Sequence, residues 1–296
     1  MQYNNKSKLI KYKHFIPQTQ IKLHLNKVIT YQEIGTIIKR LYLQTYRRPS
    51  NIIINLIQPL LWLLLFGALF QNAPIYLFEK YNIQYREFLN PGIIIFTGFN
   101  SSINAGLPII FDREFGFLNR ILVSPIINKN TLIYSCMIHT WIISTTQIIT
   151  IIIFHIYQTN KVITIDQLLL SISIGTIIIT NVSSISIYNA FILPGHIEFI
   201  ALTTLFINLP TLFASTALAP LSFMPHWLQI ISCLNPLTYA IEIIRHSYLN
   251  PFFSLELKII SIIWIQITIK ESLMILLIIN ILSLILVKQI IKYKYD

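Results

Sequence analysis

The sequence predicts an all-α membrane protein with six transmembrane helices. Of its 296 residues, 54% are hydrophobic and only 11% are charged, whereas about 25% of the residues of a soluble domain are charged. So few charged side chains could not form a hydrated surface around an apolar core. This composition excludes the soluble-enzyme classes. Apolar stretches of about 20 residues, the length needed to cross the hydrocarbon, fill most of the chain and indicate one membrane domain at 48–291.

Six such stretches follow one another along the chain. The first and last are almost wholly apolar, whereas the second, GIIIFTGFNSSINAGLPIIF, is polar in its middle. The predicted spans are 52–71, 91–111, 131–156, 168–193, 199–223 and 272–291.

Two shorter apolar segments lie between the fifth and sixth spans. Asn235-Pro236 interrupts 227–244, and 259–269 is only 11 residues long. Segments of this length are more often interfacial or re-entrant than spanning. The predicted fold therefore includes an outer re-entrant segment between spans five and six.

Both ends of the chain are basic. Residues 1–27 are predicted to be a disordered basic tail, and 292–296 a basic C-terminal tail. Residues 28–47 place apolar side chains on one helical face, which is typical of an amphipathic helix at a membrane interface. That face carries Tyr31, Ile34, Ile38, Leu41 and Thr45.

The positions of Lys and Arg predict the orientation. If the N-terminus is cytoplasmic, or stromal in a plastid, the inner segments and the inner end of the last span carry 16 of the 22 basic residues. Because basic segments stay on the inner side, both termini are expected there. The excess of Ile over Val is typical of an AT-rich genome, in an organelle or a bacterium.

No catalytic, nucleotide or metal site is predicted. A phosphate-binding loop needs a Gly directly before its Lys, and none of the eight glycines precedes a Lys. The histidines lack metal-ligand spacing. Cys136 and Cys233 are expected on opposite sides of the membrane and therefore free of an intrachain disulfide.

Two histidines, His139 and His155, lie within the third span. An ionisable group there is a functional candidate, but a neutral histidine that hydrogen-bonds across helices is the favoured interpretation. The spans carry no Asp, Glu, Lys or Arg near their middle, which disfavours a proton-coupled carrier.

Small polar residues recur at helical spacing in two spans. Such residues let helices pack closely and bond across the contact; the alternative is the lining of a substrate path or a subunit seam. They are Ser173, Thr176, Thr180 and Ser184 in the fourth span, and Thr204, Asn208, Thr211 and Ser215 in the fifth.

The inner loop 112–127, DREFGFLNRILVSPII, has helical periodicity and ends near Pro125. It is either an interfacial helix whose basic side chains snorkel or a docking surface for a soluble partner. Its apolar arc consists of Phe115, Leu118 and Leu122, and Arg113 and Arg120 share the opposite side.

Three segments resemble integral membrane subunits of the type 2 ATP-binding-cassette (ABC) transporter family. RRPSNIIINLIQPLLWLLLFGALF at 47–70 is similar to the family's first span. FDREFGFLNRILVSPI at 111–126 is similar to its signature of an acidic residue and Gly before a Leu-rich helix and a Pro. LSFMPHWLQIISCLNPLTYAIEIIRHSYLN at 221–250 is similar to its extracellular re-entrant region. Within that family, the chain resembles the cyanobacterial and plastid-encoded permeases.

The resemblance implies a half-transporter and not an enzyme. Two copies, or this chain and a relative, would pair as a homodimer or heterodimer, with separate ATPase subunits docked beneath them. Residues 113–124 would form the coupling helix in an ATPase cleft, beside the helix at 28–47. The expected ATPase-coupling residues are Asp112, Arg113, Glu114, Phe115, Gly116, Leu118, Arg120 and Leu122.

The same resemblance implies export of a lipid, a glycan or an amphiphilic small molecule. ATP and Mg would bind to the partner ATPase, and this chain would bind no cofactor, metal or nucleic acid but would contact membrane lipid. A plastid (chloroplast) membrane with both termini stromal is expected, and a bacterial inner membrane is the alternative. A membrane assembly or insertion factor and a secondary carrier are the other candidate functions.

Overall fold

The computed structural model describes residues 27–70, 85–123, 130–159, 163–192, 197–249, 254–261 and 266–295. Within these ranges eleven α-helices and one antiparallel hairpin form. The helices are α1 (Lys27–Arg47), α2 (Ser50–Leu69), α3 (Tyr85–Ser102), α4 (Leu107–Glu114), α5 (Phe117–Val123), α6 (Asn130–Thr159), α7 (Ile165–Ile192), α8 (Ile197–Phe213), α9 (His226–Leu234), α10 (Pro236–Leu249) and α11 (Ile269–Tyr295). The hairpin consists of β1 (Lys258–Ser261) and β2 (Gln266–Thr268). The predicted tail at 1–27 lies outside the described residues, apart from Lys27.

Five of the described segments are long and apolar enough to cross a membrane, and α9 with α10 makes a sixth if this pair, bent by 88°, counts as one span. The five are Ile52–Leu69, Tyr85–Glu114, Asn130–Thr159, Ile165–Ile192 and Ile269–Gln289. The chain is therefore a multi-pass membrane protein built mainly from α-helices, as the sequence predicted.

The second span, whose polar middle made its sequence signal weak, is the most buried of the five. Its helices α3 and α4 are separated by a short break at 103–106. At this break Ser186 of α7 accepts a hydrogen bond from the Gly106 N–H (3.0 Å) and donates one to the Ile103 carbonyl (2.6 Å). Because neighbouring helices satisfy the freed backbone groups, a broken helix is tolerated inside the bundle.

The predicted fifth span at 199–223 is wrong in its second half, because α8 ends at Phe213 after 17 residues. Turns and one turn of 3-10 helix at Leu221–Phe223 follow. The carbonyl groups at the end of α8 bond to side chains instead of to a further helical turn. Asn235 Nδ2 donates to the carbonyls of Thr211 (2.9 Å) and Ala214 (2.7 Å), which fixes the bend between α9 and α10 to the end of α8.

Two features near the C-terminus also differ from the prediction. The short segment 259–269 forms the hairpin, with Ile260 opposite Ile267 and both side chains buried. Isoleucine favours strands, and a hairpin satisfies the backbone within a segment that is too short to span. The predicted tail at 292–296 is helical as far as Tyr295, because α11 continues.

One cluster of buried apolar residues joins α1 to the ends of the long helices on the same side of the bundle. We call this side the α1 face. A larger cluster packs α3, α7, α10, α11 and the hairpin on the opposite side, and a further cluster packs α2, α3, α6 and α7. The α1-face cluster includes Leu41, Ile109, Leu118, Ile133, Phe191 and Val287.

Gly92 of α3 packs directly on backbone, so we expect Gly92→Ala to destabilise the protein. An added Cβ would lie 2.6 Å from the Cα and the carbonyl oxygen of Ala217. Overpacking of this kind costs about 1–3 kcal/mol, and a lower melting temperature in detergent would show it. The matched control is Gly35→Ala on α1, where an added Cβ meets nothing within 4 Å. Equal losses in both variants would contradict the argument.

Candidate functional site

The chain turns sharply between α4 and α5 on the α1 face, and we call this turn the α4–α5 corner (residues 112–120). Gly116 has φ of +70°, in the left-handed region that glycine adopts at helix ends. The Gly116 N–H donates to the Arg113 carbonyl (3.1 Å), which closes the last turn of α4. The prediction of one continuous helix over 113–124 is therefore wrong, because the chain changes direction at Gly116.

The corner presents two aromatic side chains to its surroundings. Phe115 is 74% exposed and Phe117 is 40% exposed. Leu118 is only 2% exposed because it packs into the α1-face cluster. The predicted exposed arc is therefore wrong for Leu118; the side chain of Leu122 and Pro125 lie outside the described part of the chain. Phe117 was missed because a helix without a break at Gly116 would place it elsewhere.

Asp112, another of the predicted coupling residues, does not reach the surface of the corner. Its carboxylate is buried and pairs with the guanidinium of Arg40 on α1. The same guanidinium carbon lies 4.9 Å from the centre of the Phe117 ring. Arg40 thus connects α1, α4 and α5 and helps to hold α1 beside the corner.

The remaining coupling residues line the outer surface of the corner. Glu114, Gly116 and Arg120 are exposed, whereas Arg113 is half-buried and engaged in contacts. The Phe115 ring stacks on Phe111 with a centroid separation of 6.4 Å. The corner therefore combines an exposed aromatic pair and charges of both signs with a buried anchor, which consists of Leu118 and the Asp112–Arg40 ion pair.

Helix α1 packs against the start of α6. Thr45 Oγ1 and His139 Nε2 lie 3.0 Å apart, and the Tyr42 ring meets the His139 ring edge-on at 5.4 Å. This contact confirms the favoured interpretation of His139 as a histidine bonded across helices; His155 is buried. Of the predicted apolar face of α1, Leu41 is buried in the protein and Tyr31 is exposed at the surface.

The polar stripe on α7 lies at contacts between helices. Trp141 Nε1 of α6 donates to Thr176 Oγ1 (3.1 Å), and Asn280 Nδ2 of α11 donates to Thr180 Oγ1 (2.7 Å). Ser184 is buried, whereas Ser173 is exposed and donates to the carbonyl of Leu170 in its own helix (2.8 Å). These contacts favour close helix packing for the α7 stripe.

In the polar stripe of the predicted fifth span, Asn208 bonds across helices. Asn208 Nδ2 donates to Asn100 Oδ1 (2.7 Å), and Asn100 Nδ2 donates to Gln58 Oε1 of α2 (3.3 Å). This chain of amides ties α8, α3 and α2 together. Thr211 donates to Ile207 O (2.6 Å) within α8, and Ser215, in the turn after α8, donates to Leu212 O (2.7 Å). Thr204 is half-buried.

A buried ion pair lies on the opposite side of the bundle, where the sequence pattern alone does not indicate one. Arg245 is fully buried and pairs with Glu242 one turn earlier in α10. Its guanidinium also donates to the carbonyls of Thr216 (2.6 Å) and Phe88 (3.3 Å) and lies 3.7 Å from the centre of the Phe88 ring. These contacts hold α10 against α3 and the turn after α8.

Among the described residues, no group of three or more His, Cys, Asp and Glu side chains is placed to hold a metal ion. Cys136 and Cys233 are both free, as predicted. The site at the corner is thus a surface of aromatic and charged groups backed by a buried anchor, which suits protein docking.

Comparison with known proteins shows the family to which the chain belongs. Residues 32–249 match the family described as "ABC-2 type transporter", a range that includes most of α1, the corner and the buried ion pair. The chain is 43% identical over 279 residues to the protein of Porphyra purpurea named "Putative transport permease ycf38", covering 93% of this chain and 95% of that one. It is 44% identical over 261 residues to a protein of the same name from Cyanophora paradoxa, covering 88% and 89%. The chain therefore belongs to the ABC-2 type transporter family and is a transport permease of that family.

Proposed function

We propose that this chain is the membrane-spanning subunit of an ATP-driven exporter and that a separate ABC ATPase docks on the α4–α5 corner. The observation that carries the proposal is the pair Phe115 and Phe117, exposed on a corner that Leu118 and the Asp112–Arg40 ion pair hold in place. Aromatic side chains are enriched at protein interfaces. Members of the family work with ABC ATPase partners.

The corner is positioned so that its movement would displace the helices within the membrane. It begins within the last residues of the segment Tyr85–Glu114, the most buried of the candidate spans. Helix α3 packs on α2, α6, α7 and α10. Because close-packed interiors transmit strain, movement of the corner by an ATPase would shift this central span and its neighbours together.

In the proposed topology α8 is a sixth, short span, and α9 with α10 is a re-entrant pair on the side opposite α1. The bend of 88° between α9 and α10 and the bonds from Asn235 to the end of α8 support a return to the same side. An even number of spans places both termini on one side, which we assign to the stroma of a plastid from the distribution of basic residues.

The proposed partner across the membrane is a second permease, either identical or related. Helices α2 and α8 leave large apolar side chains uncovered, including Leu61, Leu65, Phe206 and Phe213. These side chains would contact membrane lipid or the second permease. The proposed cargo is a lipid, a glycan or an amphiphilic small molecule; ATP and Mg would bind to the ATPase, and this chain would bind no cofactor and catalyse no reaction.

Purification in mild detergent tests the proposal. We expect a protein with nucleotide-binding motifs to co-purify with the chain, and ATP hydrolysis to follow that protein and be absent from the isolated chain. The physical reason is that no glycine of the chain precedes a lysine, so no phosphate-binding loop of this type exists. Hydrolysis by a preparation of this chain alone would contradict the proposal, as would recovery of a client complex without an ATPase.

The proposed topology can be tested with two matched cysteine variants in a Cys233→Ser background, because Cys233 is only partly buried and lies on the outer side in this topology. Glu114→Cys lies at the corner and Glu256→Cys lies before the hairpin, and both positions are exposed. In cells or vesicles whose inner side corresponds to the stroma, an external membrane-impermeant thiol reagent should label Glu256→Cys and spare Glu114→Cys. The buried Cys136 should remain unlabelled in both. Labelling of Glu114→Cys alone would reverse the orientation, and labelling of both or neither would contradict the topology.

A further inference from the structure

A cavity of about 520 Å³ lies between α1, α2, α6 and the junction of α3 and α4. Its lining changes from charged at the α1 face to polar and apolar further in. Arg47 and Arg48 line the end of the cavity at the α1 face, and Gln147 of α6 lines the end that lies deeper in the bundle. The contacts described for the corner and for the polar stripes do not involve either arginine or Gln147.

The cavity follows α6 for about two turns. His139, Ile143 and Gln147 are four residues apart and all line it, so they share one helical face and extend over about 12 Å at about 1.5 Å per residue. Gln147 lies near the middle of the 30-residue helix. The cavity therefore reaches from the α1 face well into the depth of the membrane.

The amide of Gln147 has no partner at this depth. The residue is only 3% exposed, and neither its oxygen nor its nitrogen makes a hydrogen bond to any described residue. A buried amide without partners is destabilising. Since Gln147 lines the cavity, polar atoms of a bound molecule would satisfy it.

The end of the cavity at the α1 face is positively charged. Arg47 and Arg48 are exposed, and no carboxylate of the described residues is paired with either one. The acidic residue of the lining, Asp112, is already paired with Arg40. Arg48 lies 5.7 Å from the centre of the Phe111 ring, which positions its guanidinium at the cavity wall.

One wall of the cavity is apolar and open to the side. Ile54 of α2 lines the cavity and is 59% exposed, next to Ile52 in the same wall. Helix α2 is among the least buried of the candidate spans. A molecule with its charged end at Arg47 and Arg48 could therefore place a hydrocarbon chain beside α2.

We propose that this cavity binds the anionic headgroup of an amphiphile, with Arg47 and Arg48 paired to a phosphate or sulfonate and Gln147 bonded to polar atoms below it. Arginine forms paired hydrogen bonds with such oxyanions. Binding does not require an ATPase; that the bound amphiphile is also cargo rests on the function proposed above.

Native mass spectrometry of the purified full chain tests this proposal. Phosphatidylglycerol serves as the anionic probe, a galactosyl diacylglycerol as the neutral one, and glycerol phosphate as the anion without chains. We expect phosphatidylglycerol to be retained over the neutral lipid. The double change Arg47→Gln/Arg48→Gln should weaken its binding about tenfold or more, and Gln147→Leu should weaken it several-fold. Lys39→Gln removes an exposed cation of α1 outside the cavity and should leave binding unchanged.

Several results would overturn the proposal. Equal retention of the neutral lipid would show that the protein contacts lipid without selecting the anionic headgroup. If Lys39→Gln weakens binding as much as the double change does, the lipid is attracted by the general positive charge of the surface and not by this cavity. Full affinity in Gln147→Leu would place the ligand outside the cavity, and competition by glycerol phosphate at equal concentration would show a site for a free anion. If no lipid is retained, the cavity does not bind an amphiphile and contains only water. Unchanged melting temperatures are required of each variant. Because no ATPase is present, failure here leaves docking at the corner unaffected.

Discussion

Replacement of Phe115 by Asp should reduce the recovery of the ATPase with this chain by orders of magnitude. In the proposed complex the exposed ring of Phe115 enters an apolar cleft of the ATPase, and Asp would bring an unpaired carboxylate there. Burial of an unpaired charge costs several kcal/mol, and about 1.4 kcal/mol corresponds to a tenfold change in affinity. Pull-down of the ATPase at matched membrane levels measures the effect.

The matched control is Phe115→Leu, which keeps the position apolar and should retain most of the ATPase. Since Phe115 projects from the corner, both variants should insert into the membrane as the unchanged chain does. If the corner is only an interfacial loop, Phe115→Asp would loosen its contact with the membrane and leave ATPase binding intact. Equal recovery of the ATPase with both variants would therefore remove the docking role from the corner.

The second large effect is expected at the buried ion pair. Arg245→Met leaves the carboxylate of Glu242 buried without its partner and removes the bonds to the carbonyls of Thr216 and Phe88. Loss of one partner of a buried pair costs about 3–5 kcal/mol. We expect a much lower melting temperature in detergent and poor recovery of the monodisperse protein.

The double variant Arg245→Met/Glu242→Leu provides the control. Replacement of both charges by apolar side chains is often close to neutral, so the double variant should melt above Arg245→Met alone. The carbonyls of Thr216 and Phe88 still lose a donor, so recovery should be partial. A double variant less stable than the single one would mean that the charge of Glu242 is not the source of the loss.

The sequence by itself determined the class of protein and most of its membrane helices. Long apolar runs at 131–156 and 168–193 predicted α6 and α7, and the runs at the two ends predicted α2 and α11, because the thickness of the hydrocarbon fixes the length of a span. The amphipathic pattern of 28–47 likewise predicted α1. The corner was located because charged and aromatic residues are mixed in a short segment between two apolar spans.

Only the tertiary structure decided where helices break and which polar groups are buried. Periodicity continues through Gly116 as if α4 and α5 were one helix, because it does not record backbone conformation. Leu118 fits an exposed arc by its spacing, yet neighbouring helices cover it. Arg245 resembles a loop cation until α3 and the turn after α8 enclose it. Gln147 is one polar residue in an apolar helix, and only the packing of four elements around it forms a cavity. Each of these features depends on contacts between residues far apart in the chain, which local pattern does not encode.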